Sequence, residues 1–104
     1  MIAPMTEDGW EDLVDRFVDG DVSRGHMFGC QGLRTGRRFF AIRWHEQLVV
    51  KLPAERRQEL EAAGQAEPFE PMPGRRMNGW VLLGEPVARA PVVAEARAWV
   101  ESQQ

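Results

Sequence analysis

The fold is decided by residues 37–52, which read RRFFAIRWHEQLVVKL. Apolar residues recur here with a period of two, which is typical of β-strands. In the first half of the stretch this alternation predicts one face with Phe40, Ile42 and Trp44, and an opposite face with Phe39, Ala41 and Arg43. In the second half it predicts a shared face for Leu48, Val50 and Leu52. A tight turn near residues 45–46 joins the two strands, which are therefore expected to be antiparallel neighbours.

A glycine-rich segment, GHMFGCQGLRTG, precedes this pair at residues 25–36. The turn signal at its end predicts a further antiparallel strand before it. The resulting three-stranded meander comprises Met27–Leu33, Arg37–Trp44 and Gln47–Leu52. Glycines in or beside a strand indicate bulges or close backbone approach, and this expectation applies to Gly25, Gly29 and Gly32.

Helical periodicity is present near both ends of the chain. After Thr6, a predicted N-cap, a stripe with a period of 3.6 comprises Trp10, Leu13, Val14, Phe17 and Val18. This stripe predicts an amphipathic helix that ends at Gly20 and packs its apolar side on the sheet. A second stripe predicts a final helix and comprises Val92, Val93, Ala96, Trp99 and Val100.

The intervening segment alternates between helix and strand signals. Pro53 and Gly64 delimit a predicted surface helix with little apolar character. A short strand is predicted near Phe69, and a longer one over residues 76–84 has the core candidates Met77, Trp80, Leu82 and Leu83. The predicted element order is therefore α-β-β-β-α-β-β-α. It indicates the α+β class, with helices packed on an antiparallel sheet.

The length and composition limit what kind of protein this is. With 104 residues the chain has room for a single domain, residues 1–104. No apolar run approaches the ~20 residues of a membrane span, and the acidic N-terminus does not resemble a signal peptide. We therefore expect a soluble cytoplasmic domain that does not contact membranes. The single cysteine, Cys30, excludes a disulfide framework and a multi-cysteine metal site.

Charge is distributed unevenly along the chain. Residues 1–21 hold seven acidic side chains and one arginine, whereas residues 22–45 hold five arginines and no acid. The basic segment could form a nucleic-acid-binding patch, or the acidic first helix could neutralise it. We favour neutralisation, because the formal net charge is −3. The candidate interaction residues are arginines of the strands and of a later turn, namely Arg34, Arg37, Arg38, Arg43, Arg75 and Arg76.

No group of residues has the spacing of a catalytic or metal site. His26, Cys30 and His45 supply at most three metal ligands and lack the Cys-x-x-Cys or His-x-x-x-His spacing. A Cys–His nucleophile pair is conceivable, but a small buried thiol is the commoner environment for such a cysteine. The glycine-rich phosphate loops and the Gly-x-Ser-x-Gly motif are absent from the sequence. We therefore predict no catalytic residue, no metal and no cofactor.

Several ordered motifs resemble the TfoX/Sxy N-terminal domain family. Residues 27–33, MFGCQGL, are similar to the family's M-F-G-G-x-G-L, and residues 38–42 and 47–52 are similar to the apolar strands that follow it. Residues 75–81, RRMNGWV, resemble the family's R-P-M-K-G-W-V, and the closing AWV at 98–100 is also similar. The resemblance runs from about Trp10 to Val100, with Cys30 and Arg76 as departures from the family pattern.

This resemblance implies an α+β fold of the kind seen in secretion chaperones and YjbR-like proteins. It implies structural roles for the motif residues, namely Met27, Phe28, Gly29, Gly32, Leu33, Met77, Gly79 and Trp80. The family has no established catalytic residue, so the resemblance also implies a domain that is not an enzyme.

Three functional hypotheses remain open at this point. The favoured one is a non-enzymatic regulatory or adaptor-type domain that acts through protein contacts, with a homodimer among the possible assemblies. The alternative is a nucleic-acid-binding module of a transcriptional regulator that uses the arginine-rich strands. A second alternative is a small-molecule-binding domain or enzyme with its pocket beside Met27, Cys30 and Trp80.

Overall fold

The computed structural model describes residues 5–84 and 88–103. In these ranges the chain forms, in order, α1 (Glu7–Phe17), β1 (Val22–Met27), β2 (Cys30–Thr35), β3 (Arg38–Trp44), β4 (Gln47–Lys51), α2 (Ala54–Ala62), β5 (Ala66–Pro68), β6 (Trp80–Leu83) and α3 (Arg89–Ser102). The strands form one antiparallel sheet in the order β1-β2-β3-β4-β6-β5. The predicted α+β class, with helices packed on an antiparallel sheet, is confirmed.

The glycine-rich segment forms a hairpin where the sequence predicted the single strand Met27–Leu33. The chain reverses at Phe28 and Gly29, whose φ angles are 56° and 74°, and Met27 pairs with Cys30 across the turn. Positive φ at both central residues is typical of the tight turns that join antiparallel strands. The meander between α1 and α2 therefore has four strands, one more than predicted.

Helix α1 forms over most of the predicted stripe, but it ends at Phe17, short of the predicted end at Gly20, and leaves Val18 exposed. The hydroxyl of Thr6 accepts a hydrogen bond from the backbone N–H of Gly9 at 3.1 Å, so Thr6 is the N-cap. Four residues of the stripe are buried in the main core, namely Trp10, Leu13, Val14 and Phe17. They belong to the same cluster as Leu33 and Phe40 of the sheet, which confirms that the helix packs on it.

Helices α1 and α3 cover one face of the sheet. Helix α3 contributes Val92, Val93, Ala96 and Val100 to the main core, whereas α2 contributes only Leu60. The weak apolar character of α2 explains this difference, because an element with one buried side chain cannot cover a sheet face. We call the side that carries α1 and α3 the helix face.

A β-bulge in β3 changes which side chains share a face. Leu33 pairs with Ala41, but the next residue of β2, Arg34, pairs with Phe39, so Phe40 is an additional residue in β3. Phe40 turns into the main core together with Ala41. The predicted grouping of Phe40 with Ile42 and Trp44 is therefore wrong, because one inserted residue reverses the alternation for everything that precedes it. Phe39 lies with Ile42 and Trp44 instead.

A polar network connects helix α3 with strand β2 and with the segment between α1 and β1. The Arg97 guanidinium contacts the carboxylates of Asp19 and Glu101, each at 3.0 Å. The Thr35 hydroxyl, which is buried, donates to Glu101 at 2.8 Å. Backbone N–H groups of residues 21 and 22, and then Arg97, lower the pKa of Asp19 below its ordinary value. The hydrogen bond from Thr35, followed by that from Arg97, lowers the pKa of Glu101.

Acidification should weaken the fold through this network. A carboxylate whose pKa is lowered by folding contributes stability above its unfolded pKa, and this contribution is lost as the pH falls through the folded value. We expect the urea midpoint of the wild-type chain to fall between pH 5 and pH 3. We expect a smaller fall in Asp19→Asn, because asparagine still accepts the backbone N–H groups but does not titrate. Urea melts followed by tryptophan fluorescence measure both midpoints. An equal fall of the midpoint in the two proteins would contradict this assignment.

Candidate functional site

The second face of the sheet has its own apolar cluster, which we call the open face. It comprises Met27, Cys30, Phe39, Ile42, Trp44, Val49, Phe69, Met77, Trp80 and Leu82. All of these residues come from strands or from the segment between β5 and β6, and none belongs to the three described helices. No side chain of a described helix therefore takes part in the apolar cluster of the open face.

The open face has a buried centre and a half-exposed periphery. Ile42 and Val49 pair across β3 and β4 and are completely buried. The same cluster contains the rings of Trp44 and Phe69, which meet edge to face with centroids 5.0 Å apart. Six members of the cluster remain only partly buried, namely Met27, Cys30, Phe39, Trp44, Met77 and Leu82. Cys30 was expected as a buried thiol, but its place at the edge of this cluster leaves it half-buried.

Phe39 explains two of the glycines in the first hairpin. A Cβ atom on Gly25 would lie 2.8 Å from the ring of Phe39, and one on Gly32 would lie 2.9 Å from it. Gly25 and Gly32 are also cross-strand partners. The ring therefore lies against the backbone of β1 and β2, which confirms the expected close approach at these two positions. Gly29 has a different role, because it is in the turn.

Phe28 combines exposure with an unfavourable backbone conformation. Its side chain is 57% exposed, and its φ of 56° is uncommon for a bulky residue. The exposed apolar ring and the positive φ each lower the stability of the fold. Strained backbone conformations of this kind occur preferentially at functional sites. Phe28 directly follows Met27 of the open face, so the turn places an exposed ring next to a residue of this surface.

The six candidate arginines do not form one surface. Arg34 pairs with Phe39 and lies on the side of the open face, whereas Arg38 pairs with the buried Thr35 and lies on the helix face. Arg37 is in the turn between them, and Arg43 is half-buried near the opposite end of β3. Arg75 and Arg76 are exposed beyond β5, where Arg76 forms an ion pair with Glu70 at 3.3 Å.

Helix α1 neutralises an arginine that the candidate set omits. Arg24 donates two hydrogen bonds to the carboxylate of Glu11, at 3.0 and 2.8 Å. A third bond from Arg24 reaches the side-chain oxygen of Gln31, which also accepts from the indole of Trp10. The acidic helix therefore lies beside the basic hairpin, within the ~10 Å over which exposed charges interact in 0.1 M salt.

This arrangement predicts weak binding to nucleic acid. The scattered arginines and the acidic helix should hold the Kd for duplex DNA above about 10 μM at physiological salt. Fluorescence anisotropy of a labelled duplex, measured between 50 and 200 mM salt, tests this expectation. Submicromolar binding that is lost in the double variant Arg37→Ala, Arg38→Ala would contradict it and would favour the nucleic-acid hypothesis.

Of the three His and Cys residues that the sequence singled out, Cys30 and His45 line an open hollow, whereas His26 does not. The hollow measures about 800 Å³ and lies at the ends of the β1–β2 and β3–β4 hairpins, where Cys30 and His45 line it. His45 is in a turn with a φ of 57°, and its ring contacts that of Trp44. Within residues 5–84 and 88–103, no three His, Cys, Asp or Glu side chains are grouped as a metal ion requires.

A comparison with known protein families matches a range of the chain that includes the motifs at residues 27–33 and 75–81. Residues 12–102 match the TfoX N-terminal domain. The matched range includes the Phe28–Gly29 turn and the segment from Met77 to Trp80 that packs against the open face. No curated protein and no solved structure matches the chain. No helix in the described ranges has the length and apolar character needed to cross a membrane.

Proposed function

This chain belongs to the TfoX N-terminal domain family, and we propose that it works as a non-enzymatic regulatory or adaptor-type domain that acts in the cytoplasm through protein contacts. The observation that carries the proposal is the open face. A sheet with helices on one side and half-exposed aromatic and methionine side chains on the other presents a surface that a partner can cover.

The composition of the open face supports a protein partner. Aromatic residues and methionine are enriched where proteins meet, and charged residues are depleted at the centre of such contacts. The half-exposed members Phe39, Trp44 and Met77 belong to these residue types. Phe28 adds an exposed ring beside them, and a large ring that fills a partner's pocket is a common source of binding energy.

The backbone of Phe28 provides a test that separates folding from binding. Asparagine tolerates a positive φ and is favoured before glycine in tight hairpin turns. We therefore expect Phe28→Asn to raise the free energy of unfolding by about 1 kcal/mol in urea melts. If Phe28 contacts the partner, the same variant should bind it at least about tenfold more weakly. A variant that loses stability would contradict the assigned turn conformation.

Photo-crosslinking in the source cells can identify the partner. A benzophenone amino acid at position 28 is expected to crosslink a specific protein, whereas the same group at Asp15, exposed on α1, should not. A second copy of this chain would appear as a crosslinked dimer. Binding of the purified partner should then fall in Phe28→Asn and Met27→Lys and should be unchanged in Asp15→Asn. Equal crosslinking from positions 28 and 15 would contradict the proposal.

A further inference from the structure

A small cavity lies between α2 and the segment that leads into β6. It has a volume of about 200 Å³. Helix α2 contributes Arg57 and Glu61 to its wall, and the opposite wall includes Phe69, Met77 and Trp80. The cavity is more enclosed than the hollow at the hairpin ends. Its lining therefore combines charged side chains of both signs with apolar and aromatic side chains.

The two charged side chains do not pair with each other. Residues four apart on a helix commonly form an ion pair, yet neither Arg57 nor Glu61 has an ion-pair partner in the part of the chain that the structure describes. The Nε of Arg57 donates to the backbone carbonyl of Leu52 at 3.0 Å, which fixes the half-buried guanidinium toward the start of the helix. Its two Nη groups remain able to donate to a ligand.

The other charge at the cavity is already compensated. Arg76 lines the cavity and forms an ion pair with Glu70 at 3.3 Å. The charged groups available to a ligand are therefore one guanidinium and one carboxylate, and the amides of Gln58 and Asn78 also line the cavity. A simple anion would meet Arg57 but would be repelled by Glu61, and a simple cation would experience the reverse. A ligand with both charges satisfies both groups.

We infer that this cavity binds a small zwitterion, namely an α-amino acid with a short apolar side chain. Its carboxylate would accept hydrogen bonds from Arg57, its ammonium would donate to Glu61, and its side chain would contact Met77 and Trp80. The volume corresponds to about seven water molecules at roughly 30 Å³ each, which suits a ligand of about ten non-hydrogen atoms. L-Leucine has this size and both charges.

Titration of the ¹⁵N-labelled chain with L-leucine tests the inference. We expect saturable shifts of amide and indole signals in residues 54–61 and 69–80, with a Kd of about 1 mM. Leucinamide lacks the carboxylate and 4-methylpentanoate lacks the ammonium, so both should bind at least about tenfold more weakly. Absence of saturable shifts with L-leucine would overturn the inference. Equal binding of 4-methylpentanoate would also overturn it, since the site would then recognise a monoanion.

Variants on α2 give an independent measurement. Glu61→Gln and Arg57→Gln should each weaken L-leucine by about tenfold or more, because each removes one charge-assisted contact. Glu55→Gln is the matched control, because Glu55 is exposed on the same helix and does not line the cavity. Equal weakening in all three variants would contradict the assigned site. These measurements require no protein partner, so their outcome is independent of the photo-crosslinking result.

Discussion

Replacing Phe40 with alanine is expected to lower the free energy of unfolding by about 3–5 kcal/mol. Phe40 has no exposed surface, and the bulge in β3 directs it into the main core between the sheet and the helices. Truncation removes the transfer energy of a buried ring and leaves a cavity, because the closely packed surroundings relax only in part. Urea melts followed by tryptophan fluorescence measure the change.

Phe39 is the matched control for this prediction. It is the adjacent residue and the same amino acid, but it is half-buried on the open face. We expect Phe39→Ala to cost less than Phe40→Ala, since less of its surface leaves water on folding. If Phe40→Ala does not fold, the smaller truncation Phe40→Leu allows the same comparison. A cost below about 1 kcal/mol for Phe40→Ala would show that the bulge is misplaced.

Adding a methyl group at Gly32 is expected to cost about 2 kcal/mol. The new Cβ would lie 2.9 Å from the ring of Phe39 and 3.0 Å from the backbone oxygen of Ala41. A ring can move, but the carbonyl is part of the sheet and cannot move without disturbing the pairing of β2 with β3. Gly32→Ala should therefore remain destabilising even when Phe39 is also replaced with alanine.

Gly25 provides the contrasting case. Its added Cβ would meet the ring of Phe39 at 2.8 Å, but no backbone atom is among its nearest contacts. In the Phe39→Ala background we expect most of the cost of Gly25→Ala to disappear, because the obstructing ring is gone. A double-mutant cycle for each glycine measures the difference. Equal coupling energies for the two glycines would contradict the role assigned to the Ala41 carbonyl.

The sequence predicted the helices and the core more reliably than the strand boundaries. Helix α1 was visible because a stripe from Trp10 to Phe17 has a clear period and a capping threonine. The bulge was not visible, because the run Phe39-Phe40-Ala41-Ile42 is apolar throughout and fits either register. The first hairpin was missed because phenylalanine rarely occupies a turn position with positive φ, so Phe28 gave no turn signal.

The surface residues were harder to predict than the core. Arg37 and Arg38 are adjacent in the sequence, but Arg37 is in a turn and Arg38 begins a strand, so their side chains point in different directions. A cluster of arginines in the sequence therefore did not predict a basic patch on the surface. The sequence predicted that the strands carry the apolar side chains of the open face, but it did not predict that no helix contributes to this face. One signal could have distinguished it: α2 has almost no apolar stripe, so too few helices were available to cover both faces. The cavity between α2 and the segment that leads into β6 depends on contacts between distant parts of the chain. The periodicity of the sequence gives no information about such contacts.

The strand order also determines how the chain acquires its structure during synthesis. Strands β1 to β4 are paired in chain order, so these hairpins need only short loops to close and can form early. The helix face, by contrast, receives Val92, Val93, Ala96 and Val100 from α3, which follows all six described strands in the chain. A nascent chain that has completed its hairpins therefore still presents the apolar side of β3 and β4 to its surroundings. Until α3 is synthesised, this exposed apolar surface is expected to favour aggregation.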